Sequence, residues 1–151
     1  MIPAASDVGA VIVAAGSGSR FGGDRPKQFL DLDGATVLRR ATALFRAHPR
    51  IGAIVIVIAS DWRDEAARAV DGLDARLVEG GARRSDSVRA GLEALAEAPP
   101  RYVLIHDGAR PLTTPAVLDG VLSALESGAD GALPGIPVTD TLKEVDADEA
   151  I

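Results

Sequence analysis

The chain of 151 residues contains no cysteine, so thiolate chemistry and a disulfide-stapled fold are both excluded. Aromatic residues are almost as scarce. Phe21, Phe29, Phe45, Trp62 and Tyr102 are the full set, too few and too scattered for a base-stacking platform that would hold single-stranded nucleic acid. No long apolar run exists either: the longest, Ile51 to Ala59, has nine residues against the roughly 20 that span a bilayer. The N-terminus has neither a basic flank nor an apolar core, so no signal peptide is expected there, and a cytoplasmic address is the default. An excess of positive charge is also missing. Sixteen Lys and Arg against 22 Asp and Glu leave a net charge of −6, a field that repels nucleic acid and anionic membrane. Any anionic ligand must therefore be held locally.

What is present is a 47% hydrophobic, 25% charged composition with 16 Gly and 9 Pro, that of a water-soluble globular domain with a buried core. Unbroken apolar runs alternate with amphipathic helical segments, which predicts βαβ units around a buried parallel sheet. Strands are expected at Val8 to Ala15, Ile51 to Ala59, Ala75 to Val78, Tyr102 to His106 and Gly131 to Pro137. Helices are expected from an N-cap at Thr36 to about His48, from Asp61 to Val70, from Ser85 to Ala98, and from Thr114-Pro115 to a stop at Gly128. The fold class is α/β, a Rossmann-like, mostly parallel twisted sheet with helices on both faces. No repeat, low-complexity tract or linker interrupts it, so residues 1–151 read as a single domain. Thr141 to Val145 alternates as a strand and Asp146 to Glu149 reads as a polar turn, yet no return strand follows before Ile151. A half-hairpin lacks its pairing partner. The chain is therefore expected to be a piece of a longer protein, cut within a β-arm that begins near Thr141.

The strongest local signal follows the first strand: Ala14-Ala15-Gly16-Ser17-Gly18-Ser19-Arg20-Phe21-Gly22-Gly23-Asp24-Arg25-Pro26-Lys27-Gln28. Glycines let successive N–H groups face an anion, and the carboxyl end of a first parallel strand is where open sheets bind ligands. It is not the dinucleotide fingerprint, because Phe21 stands at the third glycine position. Nor is it a Walker loop, because Asp24 rather than Lys follows Gly23. Arg20, Arg25 and Lys27 against Asp24 give a local excess of two positive charges.

Ala-Ala-Gly-x-Gly-x-Arg followed by Pro-Lys-Gln resembles the signature of nucleotidyltransferases. Three further segments agree in order and spacing: Gly80-Gly81-Ala82-Arg83-Arg84-Ser85-Asp86-Ser87-Val88, His106-Asp107-Gly108-Ala109-Arg110-Pro111 and Pro137-Val138-Thr139-Asp140-Thr141-Leu142-Lys143. Together they span nearly the whole chain, and the joint pattern resembles the 2-C-methyl-D-erythritol 4-phosphate cytidylyltransferase family of the non-mevalonate isoprenoid pathway. The resemblance implies transfer of CMP from CTP to methylerythritol phosphate, with pyrophosphate released and Mg²⁺ as cofactor. It implies Arg20 and Lys27 as the cations that stabilise the charge developing on the α-phosphate. Ala14, Ala15, Gly16, Ser17, Gly18, Ser19, Gly80, Gly81 and Ser87 would hold CTP, with contact at Ala82 through the main chain alone. Asp107, Arg110 and Thr141 would face methylerythritol phosphate, and Asp107 is also a candidate metal ligand, with the ion held mainly by CTP. In the family the arm begun at Thr141 packs on a second subunit, so a homodimer is implied for a full-length protein, and some relatives carry a second enzyme fused downstream. The 151-residue piece is expected to bind nucleotide weakly and turn over little or not at all.

Two other functions share the glycine-rich cradle: a sugar-nucleotide pyrophosphorylase and a non-catalytic nucleotide-binding module. Among the remaining polar residues, Arg83, Arg84 and Arg89 read as a solvated helix face. His48 and His106 read as structural, and Trp62 as a packing residue at a helix start.

Overall fold

The computed structural model describes residues 6–16, 25–139 and 141. The chain falls into two compact units, Met1–Pro115 and Ala116–Ile151.

The first unit is built on a four-stranded parallel sheet in the order β5-β4-β1-β6, from β1 (Val8–Ala14), β4 (Ile51–Ile58), β5 (Arg76–Glu79) and β6 (Tyr102–Asp107). A two-stranded hairpin, β2 (Asp31–Leu32) and β3 (Ala35–Thr36), precedes helix α1 (Val37–Ala47). Its Asp33-Gly34 tip has positive φ at both residues, as a tight hairpin turn requires. Thr36 caps α1 as its sequence position predicts, its hydroxyl accepting from the Arg39 N–H at 3.1 Å. A single 3-10 turn (Ser60–Trp62) leads into α2 (Arg63–Ala69), and α3 (Arg84–Leu95) joins β5 to β6.

Topology decides which helix covers which face. The chain steps outward from β1 to β4 to β5, then reverses through α3 to reach β6 on the other side of β1. Right-handed crossovers in opposite directions must lie on opposite faces of a sheet. The contacts agree. Val11 of β1 lies in register with Val55 and Ile105, and a Cβ placed on Gly91 of α3 would come 2.3 Å from Val11, so α3 rests on this face. Ile12 pairs with His106, whose ring packs on Phe45 of α1 at 4.9 Å, so α1 covers the other. β4, the densest run of Ile and Val, is buried from Ile54 to Ile58 on both sides, as an unbroken apolar run requires in a covered parallel sheet.

In the second unit α4 (Pro115–Glu126, whose first residue belongs to the first unit) buries Leu118 and Leu122 and stops before Gly128, which has φ +99°. The strand expected over Gly131 to Pro137 does not form, and Leu133, Ile136 and Val138 are exposed. Pro134 and Pro137 lack the N–H groups a ladder needs, and among the described residues no strand pairs with this stretch. Of the arm expected from Thr141, only Thr141 itself is described, exposed and outside any regular element. Among the described residues no helix is long and apolar enough to cross a membrane.

Candidate functional site

At the carboxyl ends of the parallel strands a cleft of about 670 Å³ opens between three segments of the first unit: Val13 to Gly16 with Lys27 and Gln28, Gly81 to Arg84 with Ser87, and Asp107 with Ala109 and Arg110. Open parallel sheets bind ligands at this edge. Of the residues singled out in the sequence, Ala14, Ala15, Gly16, Lys27, Gly81, Ser87, Asp107 and Arg110 line this cleft. Ser17, Gly18, Ser19 and Arg20 lie outside the described residues. Thr141 belongs to the second unit.

Gly80 explains how the first two segments come so close. Its N–H donates to Ile58 O at 2.8 Å, and a Cβ at this position would stand 2.7 Å from both Ala15 Cβ and Ser87 Oγ. Only glycine lets the ends of β1 and β5 and the start of α3 meet there. Ser87 is buried, and its hydroxyl lies within hydrogen-bond range of Arg83 O and Gly81 O, at 3.3 and 3.5 Å. The turn of α3 is closed by Asp86, which accepts from the Arg83 N–H at 3.1 Å. The Arg83 guanidinium holds its carboxyl below the usual carboxylate range.

Lys27 begins a 3-10 turn (Lys27–Phe29) introduced by buried Pro26, and its side chain is exposed. Phe29 anchors the turn by stacking on Trp62 at 5.2 Å, which gives Trp62 the packing role expected of it. Gln28 is buried. Its side-chain amide donates to Ala14 O at 2.7 Å and to Gly16 O at 3.1 Å. The count of local positive charge is reduced by the fold, because Arg25 pairs with Glu65 of α2, a residue 40 positions away.

Across the cleft, Asp107 ends β6 and its two oxygens are both engaged: Oδ1 accepts from Arg84 at 2.9 Å and Oδ2 from Arg110 at 2.8 Å. Burial pushes its carboxyl up, but the hydrogen bonds and charges of the two guanidinium groups outweigh this and leave it below the usual range. Arg84 is exposed, as a solvated helix face predicts, and it also lines the cleft. Beneath the turn, His106 Nε2 lies 3.0 Å from Arg110 O. Burial against Phe45 pushes the imidazole down, so at neutral pH an uncharged ring donates its Nε2–H to that carbonyl.

Asp107 is the only carboxylate among the described cleft-lining residues, and no group of three potential metal ligands occurs among the described residues. Each oxygen of Asp107 already accepts from a guanidinium group, and a carboxylate oxygen keeps a second lone pair after doing so.

Three polar residues that line this cleft, Gln28, Arg83 and Arg84, had no site role in the sequence reading. Gln28 stood in the Pro-Lys-Gln motif with no role assigned, and its position directly after the candidate cation was the only available hint. Nothing in the sequence signalled that Arg84 would reach a strand end 23 residues away.

A parallel sheet with a glycine-walled, cation-bearing cleft at its strand ends defines an α/β protein of the nucleotidyltransferase-like class. Residues 8–151 match the family model described as IspD, 2-C-methyl-D-erythritol 4-phosphate cytidylyltransferase, and the chain belongs to that family. It is 51% identical over 138 residues to the bifunctional enzyme IspD/IspF of Rhodospirillum rubrum, covering 90% of this chain and 36% of that protein. It is likewise 51% identical over 136 residues to the 2-C-methyl-D-erythritol 4-phosphate cytidylyltransferase of Cereibacter sphaeroides, covering 88% of this chain and 60% of that one. A crystal structure of a 4-diphosphocytidyl-2C-methyl-D-erythritol synthase superposes with a TM-score of 0.74 at 26% identity, over 93% of this chain and 64% of that one. The chain thus spans between about a third and two thirds of these relatives.

Proposed function

We propose that this chain is the nucleotide-binding body of a cytidylyltransferase that transfers CMP from CTP to 2-C-methyl-D-erythritol 4-phosphate. The observation that carries this is the convergence of Lys27, the Ala14–Gly16 main chain and the Gly81–Ser87 loop on one cleft, in a member of that family. A phosphate oxygen of methylerythritol phosphate attacks the α-phosphorus of CTP. A P–O bond forms, the bond from the α-phosphorus to the bridging oxygen breaks, and pyrophosphate leaves with the electron pair. The nucleophile is already an anion, so no strong base is needed and catalysis rests on preorganised cations. Lys27 and Arg20 are assigned that role, Arg20 from the family motif alone.

The walls made by Gly81 and Ser87, with Gly80 packed tightly against Ala15 and Ser87, suit a flat base lying against main chain, and Ser17, Gly18 and Ser19 are assigned to the phosphates by the family motif alone. Asp107 and Arg110 are assigned to the methylerythritol phosphate side, and Thr141 is assigned to that substrate by the family motif alone; Asp107 would take a substrate hydroxyl. Mg²⁺ enters as the CTP complex. The full-length protein is proposed to be a cytoplasmic homodimer without nucleic-acid or membrane partners, and to carry the same activity whether or not a second enzyme follows in the same reading frame.

Pyrophosphate release by the full reading frame tests this, with methylerythritol phosphate or sugar 1-phosphates as acceptor and each of the four nucleoside triphosphates as donor. Release with CTP and methylerythritol phosphate alone is expected. Release only with a sugar 1-phosphate would replace this function with a sugar-nucleotide pyrophosphorylase.

A further inference from the structure

We infer that Gln28 is a positioning residue of the nucleotide site: it fixes the main chain at the end of β1 and Lys27 as one unit. The inference rests on the function proposed above. Gln28 is 5% exposed, and both hydrogens of its amide are used on carbonyl oxygens of the facing segment, Ala14 O at 2.7 Å and Gly16 O at 3.1 Å. Carbonyl oxygens repel phosphate. Both accepting oxygens belong to residues that line the cleft, and the Gln28 amide holds them toward itself. Every described peptide bond is trans, so tying back the Ala14 carbonyl turns the Ala15 N–H away from Gln28. The residue before Gln28 is Lys27, and the residue after it is Phe29, locked on Trp62. One amide thus joins a rigid, ring-anchored turn to the segment that ends β1, and the cation rides on that turn. Preorganisation of this kind lowers the ordering cost of binding without any ligand contact from the residue itself.

Gln28→Met keeps the length and burial while deleting both donors. Titration of the folded variant with MgCTP, and separately with inorganic pyrophosphate, is expected to show about tenfold weaker binding of each. In a Lys27→Ala background the same substitution should cost less than in the wild type, because part of its effect runs through the position of Lys27. Full affinity in folded Gln28→Met, or an equal loss in both backgrounds, would overturn the inference. A wild-type chain that binds neither probe would contradict the proposed function itself, a result distinct from a binding-competent chain indifferent to Gln28. Should Gln28→Met fail to fold, the wild-type protein supplies the measurement. The Gln28 side-chain amide protons should exchange slowly with solvent and become slower still when MgCTP is added. Rapid exchange in either state would overturn the inference.

Discussion

Arg84, in the first turn of α3, donates to Asp107 at the end of β6 across 2.9 Å, although 23 residues separate them. Arg110 takes the other oxygen at 2.8 Å, so one carboxylate ties the start of α3 to the turn that follows β6. This pairing sets the titration of Asp107. Its carboxyl should titrate below 3.8, and Arg84→Ala should raise the midpoint, as read by carboxyl-carbon NMR. The ion pairs contribute to stability fully above the ordinary carboxylate value, and that contribution is lost as pH falls through the lowered native one. Arg84 is well exposed, so added salt should weaken the pairing and move the midpoint in the same direction as Arg84→Ala.

Under the proposed function, Lys27 is the residue of the described cleft assigned to transition-state charge. In the full reading frame, Lys27→Ala should lower cytidylyl transfer by about 10²-fold or more, the magnitude of losing one preorganised donor to transition-state charge. Near wild-type turnover in that variant would remove Lys27 from the mechanism.

Gly80→Ala should damage the site through packing alone. The added methyl would stand 2.7 Å from both Ala15 and Ser87, so strand ends and helix start must separate. A loss of about 1–3 kcal/mol in denaturant unfolding is expected, together with weakened CTP binding. A variant of unchanged stability would show that the segments do not meet as closely as described.

Thr42 lies fully buried in α1, and its hydroxyl has no hydrogen-bond partner among the described residues. Thr42→Val removes that unsatisfied group at nearly constant volume and should raise stability, by about 1 kcal/mol in a denaturant titration. A loss of stability would mean that the hydroxyl has a partner in solution, such as a bound water.

Most of the first unit was legible because its signals are local. The unbroken Ile and Val of β4, the Thr36 cap and the proline stop after α3 each dictate structure within a few residues. Gly131 to Pro137 misled because apolar character alone does not make a strand when prolines at 134 and 137 lack donors and no neighbour among the described residues pairs with it. The motif segments of the site were equally legible, since each sits where a strand meets a loop. What was not legible depended on contacts between distant segments: Glu65 neutralising Arg25, Arg84 reaching Asp107, and Gln28 turning inward onto Ala14 and Gly16. Charge counted along a sequence cannot anticipate a partner that the fold delivers from 23 or 40 positions away.

The most direct measurement of the central claim is an NMR titration of the chain with MgCTP, following backbone amide shifts residue by residue. The account predicts saturable shifts concentrated at Ala15, Gly16, Lys27, Gly81 and Ser87, with CTP binding more tightly than the purine triphosphates. Shifts absent from these residues at saturating CTP, or gathered elsewhere on the sheet, would contradict it.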